Sequence, residues 1–307
     1  MLYDLAIIGG GPAGVAAGVY ASRKRLKTVF ITKDWGGQST VSEGIENWIG
    51  TVKISGIDLA KNLEAHLRAY ADDIVDIRAG EMVAEVRKED EGFVVKTDAG
   101  EYSAKTVLVT AGSSRRKLEV PGAEKLEHKG ITYCASCDGP LFADLDVAVI
   151  GGGNAGFETA AQLLAYCRSV TLIHKNEEFK ADLVTVKKVL AHPHMRALLN
   201  TDILEVKGDK LVTGLVYQNL ETKEKKELVV QGIFVEIGSV PTTHFLGKLV
   251  ALTSYNQIVV DPKTQRTSLS GIWAAGDVTD GLYHQNNIAA GDAVKALEDI
   301  YMYLHAK

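Results

Sequence analysis

The 307-residue sequence has only three cysteines, six prolines and no block of like charge. Three cysteines are too few for the disulfide framework of a secreted domain, so a close pair among them points to redox or metal chemistry. Six prolines against thirty glycines argue against a proline-rich linker and for many tight turns between strands and helices. Net charge is −5 and no basic cluster stands out, which argues against nucleic acid as a partner. The nearest thing to a charge run, Glu221–Glu227, alternates in sign and reads as a solvated hairpin turn. No apolar run approaches the roughly 20 residues a membrane helix needs. The chain enters an apolar strand at Leu5–Ile8 with no basic stretch before it, so no signal peptide is expected. The expected setting is cytoplasmic, with no membrane.

What is present is a repeat. Leu5–Ile31 and Val147–Ile173 align without a gap, each as strand, Gly-x-Gly-x-x-Gly, helix and strand. Gly9 and Gly151 allow the turn off the strand. Gly11 and Gly153 let backbone approach a pyrophosphate. Gly14 and Gly156 let the helix pack close to the sheet. The helix N-terminus that follows offers N–H groups and a positive dipole end to phosphates. One such motif is weak evidence, whereas two in this context predict two dinucleotide sites. The simplest assignment is one flavin and one nicotinamide. The expected fold class is α/β, with two Rossmann-like dinucleotide-binding domains, the second inserted into the first. The expected boundaries are 1–113 and 242–307 for the first domain and 114–241 for the second.

Periodicity places further elements. A helix is expected within Lys53–Ala71, with Ile57, Leu59, Leu63 and Leu67 on or near one face. Strands are expected at Phe93–Lys96, Lys105–Val109, Gln257–Val260 and Gly271–Ala274. Lys210–Tyr217 and Glu227–Gly232 suggest a hairpin running into Ile233–Ile237. Gly238–Pro241 reads as a linker and Ala289–Leu304 as a closing helix burying Ala293, Leu297 and Ile300.

Cys134 and Cys137 form a C-x-x-C shortly before the second glycine-rich strand. A structural zinc site needs four ligands and no second cysteine pair exists, so no metal is expected. A structural disulfide closing so short a loop would stabilise little. A redox-active dithiol is the favoured reading. Asp138 reads equally as a proton-transfer group or as an Asp-Gly turn residue. Cys167 reads as a buried helix residue.

The motifs GGGPAG (Gly9–Gly14), GGQ (Gly36–Gln38), ENW (Glu46–Trp48), VPG (Val120–Gly122), CASCDG (Cys134–Gly139), GGGNAG (Gly151–Gly156) and AAGDV (Ala274–Val278) stand in an order that resembles the low-molecular-weight thioredoxin reductases. YCASCDGPLF, FKAD and GIFVEIG also resemble the flavoprotein subunit of alkyl hydroperoxide reductase. The resemblance implies FAD lined by Gly11, Pro12, Ala13, Gly36, Gly37, Gln38, Asn47, Val83, Ala111, Gly112, Asp277, Gln285 and Asn286. For Asp277 a turn-capping role is the alternative. In the second domain Asn154 and Ala155 complete the nicotinamide loop, with His174, Lys175 and Lys180 beside it. The implied electron flow runs from a reduced nicotinamide through FAD to the disulfide, with Cys137 nearest the flavin. Cys134 then attacks a disulfide of thioredoxin or a glutaredoxin-like protein. A homodimer is also implied. In this family the inserted domain rotates on its two crossings.

The sequence departs from the family where the electron donor is chosen. NADPH-dependent members carry H-R-R-x-x-F-R after the second strand, the arginines gripping the 2′-phosphate. Here that segment is His174-Lys175-Asn176-Glu177-Glu178-Phe179-Lys180. Two glutamates would repel a phosphate, yet no carboxylate stands at the strand end to bind ribose hydroxyls, where His174 lies. NADH is favoured over NADPH, and a donor such as reduced ferredoxin stays open. His284 stands where the family has arginine, and Asp34 is a candidate ribose partner or an exposed loop residue. A peroxiredoxin-system carrier as substrate is the runner-up function. A redox-responsive flavoprotein without turnover is the alternative of a different class.

Overall fold

The computed structural model describes residues 1–42 and 44–306. They divide into two compact units, Met1–Ser114 with Val240–Lys307 and Arg115–Ser239.

The first unit begins with β1 (Leu2–Gly10), α1 (Pro12–Arg23) and β2 (Thr28–Trp35). Then come α2 (Gly56–Ala71), β3 (Val75–Ala79), β4 (Val83–Glu89), β5 (Gly92–Thr97) and β6 (Glu101–Val109). Strand β1 is the middle of the parallel part, flanked by β2 and β6. A parallel strand covered on both faces must be apolar throughout, which Leu5-Ala6-Ile7-Ile8 is. Leu5 and Ile7 pack with Val15, Leu67 and Leu297, while Ala6 and Ile8 pack on the opposite face with Val107, Phe245 and Ile258.

Helix α2 starts where Ser55 accepts the Asp58 N–H at 3.1 Å and buries Leu59, Leu63 and Leu67 one turn apart. It runs from Gly56 to Ala71, inside the expected Lys53–Ala71 stretch. Ile57 is 58% exposed, on the far side from the leucines, which corrects its expected place near the buried face.

The chain passes through β7 (Ser113–Arg115) into the second unit. That unit holds β8 (Ile131–Thr132), α3 (Ala135–Asp138), β9 (Asp146–Ile150), α4 (Asn154–Leu163) and β10 (Ser169–Ile173). There follow α5 (Leu183–Leu190), β11 (Met195–Leu198), β12 (Thr201–Gly208), β13 (Val212–Asn219), β14 (Lys225–Leu228) and β15 (Gly232–Val235). Five strands form a parallel sheet in the order β11-β10-β9-β15-β8. Strands β12, β13 and β14 form a separate antiparallel sheet, so the expected hairpin is one half of a three-stranded meander. Lys225–Glu227 belong to β14, which confines the charged turn to the residues before them. Cys167 is buried but lies beyond the end of α4, its Sγ donating to the Phe142 carbonyl at 3.3 Å. Burial pushes its thiol up to about 11.

The chain returns through β16 (Ser239–Pro241), so the expected linker contains a strand, and β16 pairs with β7. Gln257–Val260 is not a strand; Ile258 makes only isolated bridges to Leu252 and Thr279. The last elements are β17 (Ile272–Ala274), parallel to β6, and α6 (Asn286–His305). Helix α6 buries Ala293, Leu297 and Ile300 against α1. No helix among the described residues is long and apolar enough to cross a membrane.

Candidate active site

The two glycine-rich loops have the same construction. Gly9 (φ +121°) and Gly151 (φ +129°) hold the turn, and a Cβ would stand 2.3 Å from the Thr110 oxygen or 2.1 Å from the Glu236 oxygen. Gly14 and Gly156 bring their helices against the turn, where a Cβ would lie 1.8 Å from the Gly9 oxygen and 2.1 Å from the Gly151 oxygen. Gly11 and Gly153 face open space, with no heavy atom within 4 Å of the point a Cβ would occupy. Two glycines of each motif thus close the loop and the third leaves room beside it. Helices α1, α4 and α6 begin without a side-chain cap, whereas Ser55 caps α2 and Asp182 caps α5. Their first N–H groups are therefore available to a ligand.

In the first unit the Gly36–Gly37 turn, Ala111 and the start of α1 meet at the glycine-rich loop. Gly36 N–H donates to the Gly10 carbonyl at 2.9 Å, and a Cβ at Gly37 would stand 3.7 Å from the Gly11 Cα. Gln38 follows, exposed, on the short helix Gly37–Val41. Pro12 and Ala13 open α1 and are buried, with Gly276 and the adjoining Asp277 turn packed over Ala13. Ala111 and Gly112 continue from the end of β6 beside Gly9. Val83 starts β4 and is buried in the cluster that contains Ile8 and Ile31. A clasp of amides joins the 37–49 segment to the start of α6. Asn47 donates to Gln285 at 3.1 Å, Ser39 donates to Asn286 at 2.9 Å, and Asn287 Nδ2 donates to the Asn47 carbonyl at 2.7 Å. Ser39 and Asn287 are additions that sequence reasoning does not supply; the Asn-Asn doublet after Gln285 is the one available signal. His284 Nε2 donates to the Gly281 carbonyl at 2.8 Å, so its ring is committed to its own loop. Asp34 is exposed.

In the second unit Cys134 and Cys137 are joined as a disulfide, with Cα atoms 5.3 Å apart. Cys134 caps the one-turn helix α3, its Sγ accepting the Cys137 N–H at 3.2 Å. Both cysteines are half-buried. Asp138 accepts a hydrogen bond from the buried Thr132 hydroxyl, which fixes the carboxylate at the end of the same turn. A Cβ at 139 would lie 2.1 Å from the Tyr166 hydroxyl, so a larger residue there would displace the tyrosine. Nearby, burial and the Glu127 carboxylate raise the Tyr133 phenol, which keeps its proton and donates to Glu127 at 2.8 Å. Among the described residues, no group of three or more His, Cys, Asp or Glu is placed to hold a metal ion.

The segment after β10 folds over the second loop. The His174 ring packs on Gly152, Lys180 N–H donates to the Gly152 carbonyl at 2.8 Å, and Asp182 N–H donates to Asn154 Oδ1 at 2.8 Å. Burial lowers the His174 pKa, opposed by a backbone hydrogen bond with Glu178 and aided by Lys180, and favours the neutral ring. Asn154 and Ala155 are exposed. Lys175 is held by Asp202 at 2.8 Å, a partner from β12 that nothing local in the sequence marks.

The sequence profile of the pyridine nucleotide-disulphide oxidoreductases matches residues 3–293. The chain belongs to that family. As such it is a thioredoxin reductase-like flavoprotein oxidoreductase, and the family implies FAD and a nicotinamide cofactor. It is 39% identical over 296 residues to an alkyl hydroperoxide reductase subunit of Pseudomonas aeruginosa, covering 96% of this chain and 57% of that protein. It is 37% identical over 302 residues to a Bacillus subtilis protein named NADH dehydrogenase, covering 98% and 58%. The chain thus spans less than two thirds of the length of these curated relatives. Among solved structures, thioredoxin reductase from Streptococcus pyogenes matches with a TM-score of 0.90 at 31% identity, covering 100% of this chain and 99% of that one. Thioredoxin reductase from Giardia duodenalis matches with a TM-score of 0.92 at 30% identity, covering 99% of each.

Proposed function

We propose that this oxidoreductase passes electrons from NADH, in preference to NADPH, through FAD and the Cys134–Cys137 dithiol to a disulfide of thioredoxin or a glutaredoxin-like protein. The observation that carries the reading is the half-buried Cys134–Cys137 disulfide on a one-turn helix in the unit that holds the second nucleotide loop. The overall change is NADH, a proton and a protein disulfide giving NAD⁺ and a protein dithiol.

The first unit fits FAD. Gly11 leaves a cradle that a Cβ would begin to fill, α1 and α6 offer uncapped N–H groups, and the amide clasp fixes Asn47, Gln285 and Asn286 together. In this reading Gly9–Gly14 hold the pyrophosphate, Gly36–Gln38, Ala111, Gly112 and Val83 line the rest, and Asp277 binds a ribityl hydroxyl. Bound FAD supplies the two-electron relay between nicotinamide and disulfide. Gly151–Gly156, with His174, Lys175 and Lys180, hold the nicotinamide dinucleotide.

The dithiol completes the work. Cys134 as thiolate attacks the partner disulfide, forming a mixed disulfide and releasing one partner thiolate. Cys137 then attacks Cys134 Sγ, which frees the second partner thiol and restores the Cys134–Cys137 disulfide. The N–H of Cys137, 3.2 Å from Cys134 Sγ, stabilises negative charge on that sulfur. In this reading Asp138, which accepts from Thr132, exchanges protons with these thiols.

The likeness to the alkyl hydroperoxide reductase relative favours a second reading, in which the accepted disulfide belongs to a carrier of a peroxiredoxin system. Family resemblance alone supports a cytoplasmic homodimer. Reduction of the FAD-loaded protein by NADH, NADPH and reduced ferredoxin in parallel tests the donor. Turnover with thioredoxin, a glutaredoxin-like protein and a peroxiredoxin carrier tests the acceptor. Full activity of Cys137→Ser on every protein disulfide would sink the dithiol mechanism.

A further inference from the structure

In a dinucleotide-binding fold the adenosine ribose falls at the C-terminal end of the strand that follows the loop helix. Here that strand is β10, which ends at Ile173. The segment after it is tied to the loop by the hydrogen bonds of Lys180 and Asp182. A recess of about 520 Å³ opens there, between Lys175–Lys180 and Asn200. Its wall carries two lysines, Lys175 and Lys180, and two glutamates, Glu177 and Glu178. Asp202, reaching Lys175 from β12, brings a third carboxylate. Two positive and three negative groups leave a net charge of −1 at the rim.

Resting on the reading of this recess as the nicotinamide dinucleotide site, we propose that Asp202 is the residue that selects the donor. By holding the Lys175 ammonium at 2.8 Å, it denies a 2′-phosphate its cation and leaves the recess to an unphosphorylated ribose. A phosphate monoester carries close to two negative charges at neutral pH, so the rim repels it. Ribose hydroxyls carry none and can donate to the rim carboxylates. The pair is exposed, with 66% and 37% of the two side chains open to solvent. It therefore contributes little to folding, and its removal leaves the fold intact. All five charged groups cluster at one rim, where salt at physiological strength, with a screening length of about 8 Å, damps but does not remove their field.

The test is Asp202→Asn in the FAD-loaded protein, read by calorimetric binding of NADP⁺ and NAD⁺ as well as by rates of flavin reduction. NADP⁺ should bind about two- to fivefold tighter than to the wild type, the scale of an exposed charge pair, and NAD⁺ should bind as it does to the wild type. The gain should shrink in high salt and vanish in the Asp202→Asn, Lys175→Met double variant. Equal NADP⁺ affinity in wild type and Asp202→Asn overturns the assignment, as does a gain that survives loss of Lys175. If the wild type binds neither nucleotide, the reading of the recess itself fails, an outcome distinct from both.

Discussion

The two glycine-rich loops share their geometry and differ in what surrounds them. Around the first, Pro12 and Ala13 are buried, and the Gly276 turn and α6 cover the start of α1. Around the second, Asn154 and Ala155 are exposed, and the covering segment is the charged, half-open run Lys175–Lys180. The same backbone device is thus enclosed in one unit and accessible in the other. An enclosed loop suits a cofactor that stays bound, and an accessible one suits a nucleotide that enters and leaves each cycle. The motif alone specifies the turn, while the neighbours decide residence.

Four experiments sharpen or break this contrast. The largest effect is expected at the acceptor end: Cys134→Ser or Cys137→Ser should lower protein-disulfide turnover by about a thousandfold or more. Flavin absorbance should persist in both, since neither residue belongs to the first loop. Next, Gly14→Ala and Gly156→Ala each force a Cβ into a backbone oxygen, at 1.8 and 2.1 Å, with a cost of about 1–3 kcal/mol. Gly14→Ala should purify depleted of FAD and melt lower. Gly156→Ala should keep FAD and bind NAD⁺ about tenfold or more weakly, and loss of FAD there would break the division of labour. Asn287→Ala removes the hydrogen bond to the Asn47 carbonyl, worth about 1 kcal/mol, and should hasten FAD release in dilution assays without altering NAD⁺ binding.

The smallest effect concerns pH. Glu236 follows β15 beside the second loop, and burial raises its pKa, opposed by Arg115 and the Thr159 hydroxyl. Its ionised form is therefore disfavoured in the fold. The native state loses stability as pH rises above the ordinary value of 4.5 and through the raised one. Glu236→Gln should match the wild type in melting temperature at low pH and exceed it increasingly towards neutral pH. A gap that shrinks with pH would contradict the sign.

Legibility in the sequence follows how local each signal is. The loops can be read because each glycine acts within a few residues of its own turn. Helix α2 can be read from its leucines, but Ile57, one position off that stripe, faces solvent. Strand β12 escapes a reading by pattern because TDILEVKG mixes charge with apolar residues along a partly exposed sheet and shows no clean alternation. Gln257–Val260 has the β-rich composition of a strand but bridges neighbours only at Ile258. The amide clasp and the Lys175–Asp202 pair join residues far apart in the chain, and no local pattern announces them.

Strand β17 lies against β6, although the whole second unit separates them in the chain. During synthesis, the first half of the enclosed loop therefore emerges long before its cover. The inserted unit has its own contiguous sheet and can fold as soon as it is made. The sheet of the first unit waits for β17, and the clasp on Asn47 waits for α6. Cofactor uptake is consequently a late event in the life of the chain. A nascent polypeptide stopped before residue 285 would carry a finished second unit and an unfinished first one.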